Sequence, residues 1–153
     1  MKISTNSRYA LRFLTRLANA EGRMTTMSIA HAEGISEKML ERIAAKLGRE
    51  GFIRSIKGIG GGYELARPSE EITVSQVLQT METPYLPLHC IEEHEDCRMA
   101  DGCAYLGLWC EIDQAIRSVT DRITVADLTE RFRKSPGGTQ QRRIPPDEKK
   151  APK

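Results

Sequence analysis

No stretch of this 153-residue chain reaches about 18 consecutive apolar residues, so no segment reads as a membrane-spanning helix. The first residues, MKISTNSRYALRFL, lack an apolar core followed by a small-residue cleavage site, and a cytoplasmic protein is expected. Cysteine is missing from residues 1–89 and 111–153, and all 4 cysteines lie between Cys90 and Cys110. None of them forms a Cys-x-x-Cys pair, which weakens zinc without excluding it. The glycine run Gly60–Gly62 is not followed by Gly-Lys-Ser/Thr and does not open a helix, so it is no phosphate-binding loop. No His/Asp constellation points to an activated nucleophile, which leaves an enzyme with a reactive cysteine as the weakest class.

What is present suits a small soluble chain. Apolar residues make up 39% and charged residues 29%, enough for an ordinary core. The net charge is only +2, but it is unevenly spread. Residues 1–70 carry 12 Lys/Arg against 7 Asp/Glu, whereas residues 71–133 carry 5 against 12. Residues 134–153 are basic again, with 6 against 2. A basic front and an acidic middle suggest a nucleic-acid face and a separate face for something else.

The apolar spacing predicts a helix over about Ser7–Ala20, with Ala10, Phe13, Leu14 and Leu17 on one side. Arg8, Arg12 and Arg16 repeat along another side, either as a solvated basic face or as a phosphate-facing edge. Thr26 is the expected cap of a second helix, and Gly34 suits its left-handed end. Ser36 then caps SEKMLERIAAKLGRE, where Leu40, Ile43, Ala44 and Leu47 share a face. Two short helices around a tight glycine turn are a helix-turn-helix, whose second helix enters the major groove. The next segment, FIRSIKGIGGGYELA, reads as a hairpin with strands near Phe52–Ile56 and Tyr63–Ala66, completing a winged helix. The glycine-rich tip and the neighbouring Arg54 and Lys57 suit phosphates or the minor groove.

A further helix is expected over Glu71–Glu82, and the prolines of Thr83–Pro87 end it. Near Cys103 a longer helix begins. Tyr105, Trp109, Ile112, Ile116, Val119 and Ile123 recur at intervals of four and three, a heptad-like seam that predicts a homodimer. A two-fold dimer would present two recognition helices to a palindromic site on double-stranded DNA. A short helix capped by Thr124 follows, and the Pro-, Gly- and Lys-rich residues 134–153 are expected to be disordered. The expected organisation is mainly α with a small β-hairpin wing. A winged helix-turn-helix DNA-binding head spans 1–83, with helix-turn-helix about 26–49 and wing about 52–66. A cysteine loop spans 84–103, a dimerisation helix and short C-terminal helix 104–133, and a tail 134–153.

Cys90, Cys97 and Cys103 have six and then five residues between them, in an acidic segment. Clustered thiolates in a reducing compartment suit a soft metal site better than a disulfide. An iron–sulfur cluster, structural zinc and a metal-free thiol switch all remain open on spacing alone. Cys110 stands one heptad beyond Cys103, about 10 Å further along a helix, and reads as an apolar filler.

The strings MKISTNSRYAL, ISEKMLERIAAKLGREGFIRS, KGIGGGYELARP, ITVSQVL, the cysteine triplet followed by LGLW, and ITVADL resemble the IscR/NsrR group of winged-helix regulators, the Rrf-two family, over about residues 1–130. The resemblance implies a homodimeric transcription factor, not an enzyme, whose iron–sulfur state controls operator binding. It implies Cys90, Cys97 and Cys103 as cluster ligands, with 2Fe–2S favoured over 4Fe–4S. It places Ser36, Lys38, Met39, Glu41, Arg42, Arg54, Lys57 and Gly60 at DNA-contacting positions. The chain departs from the family at two ligand positions. Leu106 replaces the histidine of the cluster-assembly regulators, and Arg8 replaces the aspartate of the nitric-oxide sensors. The fourth ligand is therefore open among His89, His94, Glu33, a backbone atom and an exogenous group.

Overall fold

The computed structural model describes residues 3–20, 22–82 and 103–136. Helix α1 (Thr5–Asn19) is the spine of the head. Its N-cap, Ser4, accepts a hydrogen bond from the Ser7 backbone N–H at 3.2 Å, which contributes about 1 kcal/mol. One side of α1 sends Ala10, Phe13 and Leu14, all fully buried, into the core.

Helix α2 (Thr26–Glu33) and helix α3 (Glu37–Arg49) form the helix-turn-helix. Gly34 between them has φ +64°, the left-handed conformation that a side chain would strain, and its N–H closes on the Ala30 carbonyl. Ser36 caps α3 as expected, accepting from the Met39 N–H at 3.3 Å. The cap of α2 is Thr25, one residue earlier than expected. Its hydroxyl accepts from the Ser28 N–H at 3.1 Å, and its carbonyl accepts from Ile29 N–H and the Ser28 hydroxyl. Two adjacent threonines offered the same cap chemistry. The Thr26 hydroxyl instead reaches across to Glu37 at 3.5 Å.

Strands β1 (Ile53–Ile56) and β2 (Gly62–Leu65) pair antiparallel, with Ile53 opposite Leu65 and Ile56 opposite Gly62. A bridge between Met24 and Tyr63 ties this hairpin to the segment before α2. The Tyr63 ring stands edge-on to Phe13 at 6.0 Å between centroids, so the wing is keyed directly into the core.

The expected helix over 71–82 is shorter. A 3₁₀ turn at Ser69–Glu71 precedes helix α4 (Val74–Met81). Thr73 and Gln76 form a capping box, each side chain accepting from the other's backbone N–H, and this fixes the helix start. Helix α5 (Leu106–Thr120) begins three residues after Cys103. Helix α6 (Val125–Lys134) starts at a second capping box, Thr124 with Asp127. The two caps lie side by side. Val74 N–H donates to the Ile123 carbonyl and Val125 N–H to the Ile72 carbonyl, both at 2.8 Å.

Helix α6 packs on α1, with Val125 fully buried in the common core. Helix α5 behaves differently. Asp113 is its one buried residue, bonded to Arg117 Nε at 2.7 and 3.0 Å. Tyr105, Ile112 and Val119 of the predicted seam are exposed, and Leu108 beside them is 49% exposed.

Phe13→Ala removes the ring that α1 shares with the wing. The expected loss is about 3–5 kcal/mol in urea unfolding. An unchanged midpoint would contradict this placement of the core.

Candidate nucleic-acid interface and sensor segment

With Leu40, Ile43, Ala44 and Leu47 turned inward, helical geometry sends Lys38, Glu41 and Arg42 outward, and all three are exposed. Ser36 is exposed at the helix start, and Met39 is half-buried against the core. This face carries a cation pair and a carboxylate within one and a half turns. Such a set can donate to phosphate or guanine and accept from a cytosine amino group.

The wing continues the surface. Lys57 and Gly60 are exposed at its tip. Arg54 is exposed as well, but it bonds Glu64 on the facing strand at 2.6 Å, and Arg23 approaches the same carboxylate at 3.4 Å. The Arg54 hydrogen bond, helped by both positive charges, holds the Glu64 carboxyl below its usual range. Arg54 therefore meets a phosphate only by sharing or leaving Glu64. Between wing and helix-turn-helix lies an open groove lined by Thr25, Thr26, Ser55 and the glycine turn.

The arginine row on α1 divides: Arg8 and Arg12 are exposed, as a solvated face would be, and Arg16 is not. Arg8 is exposed and bonds Thr5 at 3.1 Å. Arg16 is buried, ion-paired with Glu33 and stacked on the Phe132 ring at 4.5 Å. Arg12 reaches the same glutamate at 3.2 Å. The reason is tertiary: α2 supplies Glu33 and α6 supplies Phe132, and both close over Arg16. Glu33 itself is not a solvent-exposed glutamate, because its side chain is only 7% exposed between two guanidinium groups.

Cys90, Cys97, His89 and His94 lie outside the described residues. Cys103 is half-buried with a free thiol, and its carbonyl accepts the Leu106 N–H at 3.3 Å, so it sits at the foot of α5. Cys110 is also half-buried and free. Among the described residues no three potential ligands converge on a metal position.

Glu82 was not foreseen. It is the last described residue before the cysteine segment, and its carboxylate accepts from the Ser4 N–H at 2.7 Å and from the Ser7 hydroxyl. Burial pushes this carboxyl up, but the Ser7 and Ser4 hydrogen bonds outweigh it, leaving it below its usual range. The sequence carried no signal for it, because its donors lie 78 and 75 residues earlier in the chain.

A head of this shape, with an outward-facing second helix and a keyed hairpin, defines the winged-helix class of DNA-binding proteins. The profile of the Rrf2 family, described as "Iron-dependent Transcriptional regulator", matches residues 3–131. The chain belongs to that family. It is 34% identical to the HTH-type transcriptional regulator CymR of Bacillus subtilis over 130 residues, covering 84% of this chain and 89% of that one. The structure of that protein, called there the global cysteine regulator, matches with a TM-score of 0.70 and 33% identity, over 86% of this chain and 98% of that one. The structure of T. potens IscR matches with a TM-score of 0.66 and 30% identity, over 86% of this chain and 88% of that one. These relatives are transcriptional regulators rather than enzymes, and this chain is a DNA-binding transcriptional regulator of the same fold. No helix among the described residues is long and apolar enough to cross a membrane.

Two predictions follow from the charges. Glu33→Ala should cost about 3–5 kcal/mol, because Arg16 loses the partner of a buried ion pair. Thermal unfolding that matches the wild type would mean the pair is not formed. Glu82 carries a lowered folded-state pKa, so its contribution is present at neutral pH and is lost as pH falls through that value. Glu82→Gln should be less stable than wild type at neutral pH. The gap should close on acidification below the ordinary glutamate value of 4.5. Denaturation curves across pH that stay parallel would contradict this.

Proposed function

We propose that the chain is a homodimeric regulator whose operator binding is controlled by an iron–sulfur cluster held by Cys90, Cys97 and Cys103. The observation that carries this reading is the cysteine triplet, placed immediately before a helix on which Tyr105, Leu108, Ile112 and Val119 are exposed. Three clustered thiolates are the donor set that iron–sulfur chemistry uses, and the free, half-buried Cys103 fits such a role. The cluster would supply a ligation state sensitive to oxidants or nitric oxide, with 2Fe–2S favoured over 4Fe–4S. His89 or His94 is preferred to Glu33 as fourth ligand, since Glu33 already answers two arginines.

The chain's own residues would carry the signal. A change in thiolate ligation at Cys103 acts on the start of α5. Two α5 helices packed through Tyr105, Trp109, Ile112, Ile116 and Val119 set the distance between the two heads. Ser36, Lys38, Met39, Glu41 and Arg42 on α3, with Arg54, Lys57 and Gly60 on the wing, would meet a palindromic operator. A shift between the heads changes operator affinity. A metal-free cysteine switch is the second reading, favoured by the similarity to a cysteine regulator. Structural zinc is the third.

Iron, acid-labile sulfide and zinc should be measured on protein purified without oxygen. About two iron and two sulfide per subunit, lost in Cys97→Ala, are expected; about four of each would indicate the larger cluster. Zinc alone, or no metal with normal regulation, would overturn the cluster. Ile112→Asp should convert the dimer to monomer in sedimentation; an unchanged dimer would remove the α5 seam from the interface. Arg42→Ala should weaken operator binding by about 1–3 kcal/mol in a sequence-dependent way if it reads a base. An equal loss on every sequence, with a smaller salt slope, would assign Arg42 to phosphate.

A further inference from the structure

The wing ends in a turn built to present one side chain. Gly61 N–H closes on the Gly58 carbonyl at 2.9 Å, which leaves Ile59 and Gly60 as the two corner residues. Gly60 has φ +75°, the value that a type II turn needs at its third position. A Cβ on Gly61 would sit 2.5 Å from the Ile56 carbonyl oxygen, so no side chain fits there. From Gly58 to Gly62 the only side chain is therefore that of Ile59, and it is 95% exposed.

The turn is not a loose loop end. Met24 and Tyr63 exchange backbone hydrogen bonds at 2.8 and 3.1 Å just beyond it, and the Tyr63 ring rests on Phe13. The other exposed large hydrophobics of the wing and helix-turn-helix amount to Met27 alone. Isolated exposed apolar residues are common on proteins, but this one is held out by a fixed backbone with bare glycines on both sides. Its surroundings are those of a polyanion-binding surface. Lys57 stands two residues before it, and the Thr25, Thr26 and Ser55 hydroxyl side chains line the groove beneath the same turn.

We propose that Ile59 is an apolar wedge that enters the minor groove of the operator, partly unstacks a base step and bends the DNA. The proposal rests on the DNA-binding role of the wing and adds to it a specificity determinant that makes no hydrogen bond. With Lys57 against a phosphate, a side chain two residues further along a rigid turn is placed over the adjacent groove. Isoleucine has the size and polarity of the wedges that architectural proteins insert between bases. The cost of opening the step is least at flexible pyrimidine–purine steps such as TA and CA/TG. The wing would thus favour those steps at a position that no polar side chain reads.

The test uses duplexes selected by the full chain from a randomised library. Bend angle is read by end-to-end energy transfer, and affinity is read across a salt series. Ile59→Ala should lose about tenfold in affinity and most of the bend, with the salt slope unchanged. Ile59→Leu should keep both. Lys57→Ala should instead lower the salt slope by about one, with the bend retained. Sequences selected by Ile59→Ala should lose the pyrimidine–purine enrichment. Wild-type affinity and bend in Ile59→Ala would overturn the wedge while leaving the regulator reading intact. Failure of the wild type to select any duplex would overturn both.

Discussion

The interaction on which the rest depends is a pair of backbone hydrogen bonds between two identical tripeptides. Ile72-Thr73-Val74 and Ile123-Thr124-Val125 lie antiparallel, with Val74 N–H on the Ile123 carbonyl and Val125 N–H on the Ile72 carbonyl. Each threonine also caps the helix that follows it. The contact closes a neck. From this contact the chain first runs through α4, which packs on α1 with Val77 and Met81 buried, and it comes back to the contact at Thr124 after the cysteine segment and α5. Ile72 and Val125, both fully buried, bolt the neck into the core. This contact and α4 fix the two ends of the stretch that holds the cysteines and α5.

The electrostatics follow the same logic. The buried charge of the head, Arg16 of α1, meets Glu33 of α2 and the Phe132 ring of α6. It thereby joins three elements that are far apart in sequence. Breaking that pair costs more than making it gains, so its value is to fix one arrangement of α1, α2 and α6. Glu82 does a related job at the exit of α4, where the α1 N-terminus supplies its donors. The surface of α3 and the wing is left with the exposed cations Lys38, Arg42, Arg54 and Lys57, and of the two on the wing Arg54 is held by an acid.

Local chemistry was legible in the sequence. Gly34 and Ser36 told where one helix stops and the next begins, because a left-handed residue and an N-cap leave few alternatives. The period of Leu40, Ile43, Ala44 and Leu47 told which side of α3 is buried and so which side faces outward. The apolar stripe of α5 was legible for the same reason, and Tyr105, Ile112 and Val119 of it are exposed. The Thr25 cap and the late start of α4 were missed because Thr-Thr and Ile-Thr-Val each offer more than one register. The fates of Arg16, Glu33 and Glu82 were not legible at all. Each depends on a partner 17 or more residues away, and periodicity within one helix carries no information about what another helix brings. Cys90 and Cys97 rest on spacing and resemblance, being outside the described residues.

The central claim is that the state of the cysteine segment sets the affinity of the head for DNA. The most direct test is to titrate one selected operator duplex with anaerobic protein before and after its metal is stripped, at one salt concentration. The account predicts a clear difference between the two affinities that disappears in Cys97→Ala. Equal affinities for loaded and stripped protein would contradict it.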